Sequence, residues 1–222
     1  MASISPNDGS SSMSSLKIID CAQNSEEWLR ARAGIPTASE FSTVMASGRG
    51  GGESKTRRTY MFKLAGEILT GEPMERFTNG AMERGHAMED EARSAYAFIK
   101  DVEPVQVGFI TNGQKGYSPD SLIGDDGLLE IKTAAPHLLI DKLLSGEFSP
   151  EHKAQCQGGM WVAEREWIDL VTYWPKLPPL IVRAVRDEVY IAGLARAVAQ
   201  FNEELAEVVE QIRRYSDGKA AA

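Results

Sequence analysis

The chain has 222 residues, of which 42% are hydrophobic and 25% are charged, and its formal net charge is −8 at pH 7. This length supports one substantial core, and no apolar run approaches the ~18 to 20 residues that a membrane span requires. The acidic balance argues mildly against non-specific nucleic-acid binding. A metal-dependent nuclease also needs carboxylates, however, so charge alone leaves that class open.

The first 15 residues are rich in Ser, Asn, Asp and Gly, and they lack the basic start and the apolar stretch of a signal peptide. We therefore predict a disordered tail over residues 1–15 and a single domain over residues 16–222. Cys21 and Cys156 are too few for a disulfide framework and lack metal-ligand spacing. Two isolated cysteines favour a reducing compartment, which predicts a cytoplasmic protein.

Helices dominate the predicted first half of the chain. Ser25 followed by Glu26 and Glu27 is typical of a helix start, because the serine caps free backbone amides and the acids face the positive helix end. Apolar spacing and stop signals predict four helices, at residues 25–33, 37–46, 59–69 and 80–99. Between the second and the third, SGRGGGESKTRR predicts a flexible basic loop over residues 47–58.

The second half of the chain contains the predicted strands. Val105, Val107 and Phe109 alternate as strand residues do, and two further strand-like runs, at residues 114–123 and 127–133, meet at the turn GDDG. The remaining pattern predicts helices at 136–144 and 150–163, strands at 167–174 and 180–185, and a last helix at 187–215. This order predicts an α/β (α+β) domain in which helices flank a mixed β-sheet, with a helical N-terminal part and a long C-terminal helix.

The predicted hairpin places charged residues together. If its turn is centred near Asp125, residues whose numbers sum to 250 face each other, so Asp120 lies opposite Glu130. Lys132 shares their face because strand side chains alternate. Two opposed carboxylates repel each other unless a divalent cation such as Mg²⁺ lies between them. A nearby lysine can orient or deprotonate the attacking water, or neutralise phosphate charge, which suits metal-assisted phosphodiester hydrolysis.

A purely structural explanation competes with this one. Asp120 could cap a turn after Pro119, and Glu130 and Lys132 could be solvent-facing strand residues. Spacing alone favours that explanation, because P-D and E-x-K pairs occur widely by chance.

Other positions also allow a structural and a functional explanation when taken singly. Arg32 and Ser39 lie near two predicted helix starts, which attract anions, but each also fits an ordinary surface or capping residue. Glu89 and Arg93 are spaced for an i,i+4 pair, which fits a solvated helical face as well as a metal contact. Gln155 and Gln157 lie on a predicted helix, where a glutamine is usually exposed, but Lys153 and Gln157 share a face and could reach a phosphate or a metal-bound water.

Taken in order, these residues resemble the bacteriophage lambda exonuclease and YqaJ-type viral recombinase family of the PD-(D/E)xK nuclease superfamily. Five segments between residues 25 and 190 carry the resemblance: W-x-x-x-R with TAS (28–39), G-x-x-x-E-x-x-A-R (85–93), SPD (118–120), E-x-K (130–132) and AQ-x-Q-x-x-MWV (154–162). Each segment is a weak signal by itself. Their common order and compatible spacing make the resemblance strong.

The resemblance implies a restriction-endonuclease-like core and a Mg²⁺-dependent exonuclease that digests linear double-stranded DNA from the 5′ end. It implies release of 5′-mononucleotides, a homotrimer ring around the DNA and a 3′ single strand for phage-type recombination. A single-strand annealing protein would receive that strand in the cytosol of a bacterial host. Two competing functions stay open, a PD-(D/E)xK endonuclease and a non-catalytic protein that binds DNA ends.

Roles for individual residues follow from the same resemblance. Two Mg²⁺ ions, for which Mn²⁺ would substitute, would be held by the carboxylates and the backbone carbonyl of Asp120, Glu130, Glu89 and Ile131. Lys132 would activate or orient the attacking water, and Gln157 would support the site. The terminal 5′-phosphate would contact Arg32, Ser39 and Ser118. The basic residues Arg49, Lys55, Arg57 and Arg58 would either lie near incoming DNA or simply solubilise their loop.

Overall fold

The computed structural model describes residues 15–216, apart from residues 49, 51, 53 and 75–79 and the side chains of residues 80–87 and 216. Residues 1–14 of the predicted tail therefore lie outside the described residues. The α-helices of the described part are Glu26–Arg32 (α1), Phe41–Val44 (α2), Lys55–Thr70 (α3), Gly80–Lys100 (α4), Pro136–Ser145 (α5), Lys153–Ala163 (α6) and Glu188–Ser216 (α7). Among these described helices, none is long and apolar enough to cross a membrane.

The strands of the described residues are Leu16–Ile19 (β1), Pro104–Val105 (β2), Phe109–Asn112 (β3), Gly116–Tyr117 (β4), Ser121–Ile123 (β5), Gly127–Thr133 (β6), Trp167–Tyr173 (β7) and Leu180–Val185 (β8). They form an antiparallel sheet in the order β1-β3-β4 and a mixed sheet in the order β2-β5-β6-β7-β8, whose β6–β7 pair is parallel. The predicted α/β class, the mixed sheet and the long C-terminal helix are confirmed.

The hairpin of β5 and β6 has the predicted register. Ser121 lies opposite Leu129 and Ile123 lies opposite Gly127, so the paired residue numbers sum to 250. Leu128 on one face of β6 joins a buried cluster with α6 and α7, whereas Leu129 on the other face joins a second buried cluster with Tyr96 of α4. Helices therefore cover both faces of the mixed sheet, as its alternating side chains require.

Two predicted strands are each divided between the sheets. The run through Val105 and Phe109 separates into β2 and β3, because Gly108 passes so close to residue 21 that an added Cβ would lie 2.4 Å from the Cys21 carbonyl oxygen. The predicted strand 114–123 separates into β4 and β5 around Pro119, which has no amide hydrogen for a strand ladder. The short strand β1 was not predicted.

The predicted basic loop is also shorter than expected. Ser54 accepts a hydrogen bond of 3.4 Å from the backbone amide of Arg57, and this cap starts α3 at Lys55. Lys55, Arg57 and Arg58 consequently belong to the first helical turn and not to a flexible loop. The prediction for Arg49 lies outside the described residues.

Candidate active site

The start of β5 and the middle of β6 bring two carboxylates together. Extending the hairpin register by one residue sets Asp120 opposite Glu130. The backbone amide of Ile131 donates a hydrogen bond to Asp120 Oδ2, which fixes that carboxylate against β6. Glu130 is only 2% exposed, and Asp120 is partly buried. The structure thus places the predicted acid pair in a site with little access to water.

Three side chains hold the Glu130 carboxylate. The Tyr117 hydroxyl donates to its Oε2 at 2.7 Å, while the Lys132 ammonium donates to its Oε1 at 2.8 Å. The side-chain amide of Gln155 also donates to Oε1. Three donors on one buried carboxylate fix its orientation.

The charges of Asp120, Glu130 and their neighbours favour positively charged groups at this site. Withdrawal from water, together with repulsion from Glu130 and Glu89, raises the pKa of Asp120 well above its usual value. Burial lowers the pKa of Lys132, but the carboxylates of Glu130 and Asp120 outweigh it and raise that pKa overall. Lys132 therefore stays protonated near neutral pH, and ionised Asp120 is unfavourable without a further cation.

These residues fit a hard divalent cation. Asp120 and Glu130 offer carboxylate oxygens, the Ile131 backbone adds a carbonyl oxygen, and oxygen ligands are those that Mg²⁺ and Mn²⁺ prefer. In the part of the chain that the structure describes, no three His, Cys, Asp or Glu side chains converge as a metal-binding group. The side chains that this site offers to a cation are therefore the carboxylates of Asp120 and Glu130.

A cavity of about 140 Å³ connects the acid pair with the predicted phosphate residues. Its lining includes Arg32, Ser39 and Ser118 as well as Asp120, Glu130 and Gln155. Residues from α1, from the segment before α2, from the hairpin and from α6 thus meet in one place, although Arg32 and Gln155 are 123 positions apart in the sequence.

Trp28 positions Arg32 at one side of this cavity. The Arg32 guanidinium carbon lies 4.0 Å from the centre of the Trp28 ring. The indole N–H donates to the Ser118 hydroxyl at 2.9 Å and to the Gly108 carbonyl at 3.1 Å. Stacking on Trp28 uses the planar face of the Arg32 guanidinium, and it fixes the orientation of that group at the cavity. Ser39 contributes a hydroxyl that is 3.2 Å from that of Thr37.

The structure places the two glutamines differently from the prediction. Gln155 reaches Glu130, whereas Gln157 is 4% exposed and turned away from that carboxylate. The Gln157 amide nitrogen donates to the Val185 carbonyl, and its oxygen accepts from the Asp187 amide, both at 2.8 Å. Gln157 therefore joins α6 to the end of β8. Residues two apart on a helix point in different directions, so only one of the pair can face the site.

Glu89 lies beside the acid pair but lines a neighbouring cavity. That cavity shares Gln23 and Asn24 with the first. The Glu89 carboxylate is paired with Arg93, whose guanidinium also donates to the Ser121 hydroxyl at 3.0 Å. The charge of Glu89 still acts on Asp120, because it contributes to the raised Asp120 pKa.

The described basic residues of α3 do not line the 140 Å³ cavity. Arg57 donates to the Val44 carbonyl at 3.1 Å and is paired with Glu204 at 2.5 Å, which gives it a structural role. Lys55 and Arg58 are exposed.

Sequence reasoning missed Tyr117 and Gln23 as members of this region. A tyrosine in a strand and a glutamine in a loop are ordinary features, and neither forms a spacing pattern with the acids. Their role becomes visible only from the distances between them and the hairpin.

Comparison with known sequences identifies the family of the chain. The sequence profile of the YqaJ-like viral recombinase domain matches residues 27–166. The chain belongs to the YqaJ-like viral recombinase domain family. The matched residues of this YqaJ-like domain include the acid pair, Lys132 and Arg32. No curated protein sequence matches the chain at a significant level.

Solved structures extend the match beyond the YqaJ-like segment. Two structures of LHK-Exo, an alkaline exonuclease from Laribacter hongkongensis, are 33% and 34% identical in sequence, with TM-scores of 0.79 and 0.78. Each match covers 87% of this chain and 99% of that chain, and one structure is a complex of LHK-Exo with dAMP. A phage-related exonuclease from Haemophilus somnus 129PT shares the fold, with 12% identity and a TM-score of 0.60 over 80% of this chain and 96% of that one. The YqaJ-like domain thus has a restriction-endonuclease-like core.

Proposed function

We propose that this YqaJ-like domain is a Mg²⁺-dependent 5′-to-3′ exonuclease that digests linear double-stranded DNA. It would release 5′-mononucleotides and leave 3′ single strands for phage-type recombination. The observation that carries this proposal is the shared cavity, in which an arginine and two serines lie beside the Asp120–Glu130 pair. Family membership and the likeness to an alkaline exonuclease support the same activity.

The acid pair and Lys132 would act on the scissile phosphate. Asp120, Glu130 and the Ile131 carbonyl would hold the cation, which supplies an activated water and polarises the phosphate when bound. Lys132 has a raised pKa, so it is better suited to donate a hydrogen bond and neutralise developing charge than to remove a proton. Tyr117 and Gln155 would keep Glu130 oriented throughout. Glu89 would contact a second cation or its water.

Arg32 and the two serines of the cavity would bind the 5′ end of the DNA strand. The guanidinium of Arg32 can bind a terminal 5′-phosphate through two donors, and the hydroxyls of Ser39 and Ser118 can add to them. Because these groups and the acid pair line one small cavity, the terminal phosphate and the scissile phosphate would be neighbours along the strand. That closeness supports release of single nucleotides.

Family resemblance supports the remaining features of the proposal. We place the protein in the cytosol of a bacterial host, as a phage or prophage product. A homotrimer ring would encircle the duplex, and a single-strand annealing protein would receive the 3′ strand. Mn²⁺ would substitute for Mg²⁺, since both accept oxygen ligands.

The proposal is tested by measuring nucleotide release from duplex DNA in the presence of Mg²⁺. Three substrates are compared: linear DNA with 5′-phosphate ends, linear DNA with 5′-hydroxyl ends and a closed circle. Rapid release from phosphorylated ends alone is expected. Cutting of the circle would identify an endonuclease, and binding to ends without release would identify a non-catalytic end-binding protein. Lys132→Ala is the matched control, because it should abolish release and leave DNA binding largely intact.

A further inference from the structure

The segment that carries Asp120 lies between two sheets. β4 ends at Tyr117 and β5 begins at Ser121, so residues 118–120 connect strands that are not paired with each other. Pro119 cannot donate to a strand ladder because it has no amide hydrogen. Side chains consequently supply part of the hydrogen bonding of this segment.

Gln23 supplies one of these bonds from a distant part of the sequence. Its side-chain amide nitrogen donates to the carbonyl oxygen of Pro119 at 2.8 Å and to that of Val107 at 3.1 Å. A primary amide suits this position because its one nitrogen carries two donors. Gln23 thereby joins the loop after β1 to the segment before β3 and to the segment before β5.

A tight turn fixes the position of Gln23. The backbone amide of Ser25 donates to the Ala22 carbonyl at 3.1 Å, which leaves Gln23 and Asn24 as the central residues of the turn. Asn24 has a φ of +68°, in the left-handed region that asparagine tolerates better than most residues. Gln23 also lines the cavity that contains Asp120 and Glu130.

We propose that Gln23 is a positioning residue for the metal-binding carboxylate of Asp120, a role that rests on the proposed function. The Pro119 carbonyl and the Asp120 amide belong to one peptide unit, so a shift of that carbonyl turns the backbone from which the carboxylate extends. Divalent cations tolerate little displacement, because Mg²⁺ binds oxygen ligands at about 2.0–2.1 Å. Loss of the Gln23 bonds should therefore disturb the metal site more than the fold.

Gln23→Met tests this role, since methionine has a similar length but no donor for either carbonyl. The first measurement is Mn²⁺ binding to the DNA-free protein by titration calorimetry, with Asp120→Asn as the reference for loss of the site. We expect Gln23→Met to weaken Mn²⁺ affinity roughly tenfold or more. The Mn²⁺ concentration for half-maximal nucleotide release should rise to match, while the ratio of release from 5′-phosphate and 5′-hydroxyl ends stays unchanged.

Asn202→Leu is the matched control. It removes a comparable amide-to-carbonyl bond, from Asn202 to Gln114 at 3.0 Å, between residues that do not line the cavity. This variant should bind Mn²⁺ as the parent protein does.

The possible outcomes distinguish a positioning role of Gln23 from the alternatives. Parent-like Mn²⁺ affinity in Gln23→Met would overturn the role, as would an equal loss in Asn202→Leu. If Gln23→Met fails to fold, Gln23→Leu is measured in the same way, and misfolding of both would make Gln23 a determinant of folding instead. A parent protein that binds Mn²⁺ through Asp120 but releases no nucleotide would overturn the proposed function and leave the positioning role standing.

Discussion

The hydroxyl of Tyr117 donates a 2.7 Å hydrogen bond to Glu130, and the two residues lie on strands of different sheets. Tyr117 is 1% exposed, and its ring lies so close to α6 that a Cβ on Gly159 would be 2.8 Å from it. Packing thus aims the hydroxyl, and the hydroxyl in turn orients a carboxylate of the proposed metal site.

Tyr117→Phe should lower nucleotide release roughly tenfold, because the ring packing stays while Glu130 loses one of its three donors. Assays on 5′-phosphorylated linear duplex DNA measure this effect. Tyr96→Phe is the control, since it removes a similar buried bond, 2.8 Å from Tyr96 to Asp169, among residues that do not line the cavity. Equal losses of nucleotide release in the two variants would contradict a specific role for Tyr117.

Substitutions of the two glutamines of α6 should have different effects, one on nucleotide release and the other on stability. Gln155→Leu removes a donor to Glu130 and should lower nucleotide release with little change in unfolding. Gln157→Leu leaves the Val185 carbonyl and the Asp187 amide without their partner, which should cost about 2 to 4 kcal/mol of unfolding free energy. Denaturant unfolding and nucleotide release are measured on both. The reverse pattern would restore Gln157 to the site.

Arg32→Lys should reduce the preference for 5′-phosphorylated ends, because lysine keeps the charge but loses the two-donor fork and the stacking on Trp28. The measured quantity is the ratio of initial release rates from 5′-phosphate and 5′-hydroxyl ends. Arg30→Ala, on the same helix, should leave the ratio unchanged because Arg30 is exposed and paired with Glu26. An equal loss on both kinds of end in Arg32→Lys would argue against the phosphate role.

Asp120→Asn should stabilise the metal-free protein at alkaline pH. The pKa of Asp120 is raised in the folded state, so its contribution to stability is fully present below the ordinary value of about 3.8 and is lost as pH rises through the raised value. Asparagine keeps an acceptor for the Ile131 amide and carries no charge. We expect a higher melting temperature than the parent at pH 8 in EDTA, by ~2 to 4 °C for each kcal/mol.

The pH contrast is the control for that measurement. Below pH 4 the parent carboxyl is protonated, so the difference between Asp120→Asn and the parent should shrink. An equal destabilisation at both pH values would show that the carboxylate is not under electrostatic strain in the folded protein.

Local patterns in the sequence determined most of the secondary structure and part of the site. The Ser25 cap, the β5–β6 register and the bounds of β8 follow from short-range signals, and the structure confirms them. Alternation along a strand is also local, so Asp120, Glu130 and Lys132 could be grouped before any tertiary contact was known. The order of the five family segments added the expected activity.

Only the tertiary structure decided which residues meet across the chain. Tyr117 and Gln155 reach Glu130, and Gln23 reaches Pro119, through contacts between residues that are 13 to 96 positions apart. The division of two predicted strands at Gly108 and Pro119 has the same origin, because close approach between segments and a missing amide override local strand propensity. Hydrogen bonds of this kind depend on where whole elements pack, and no local spacing encodes that.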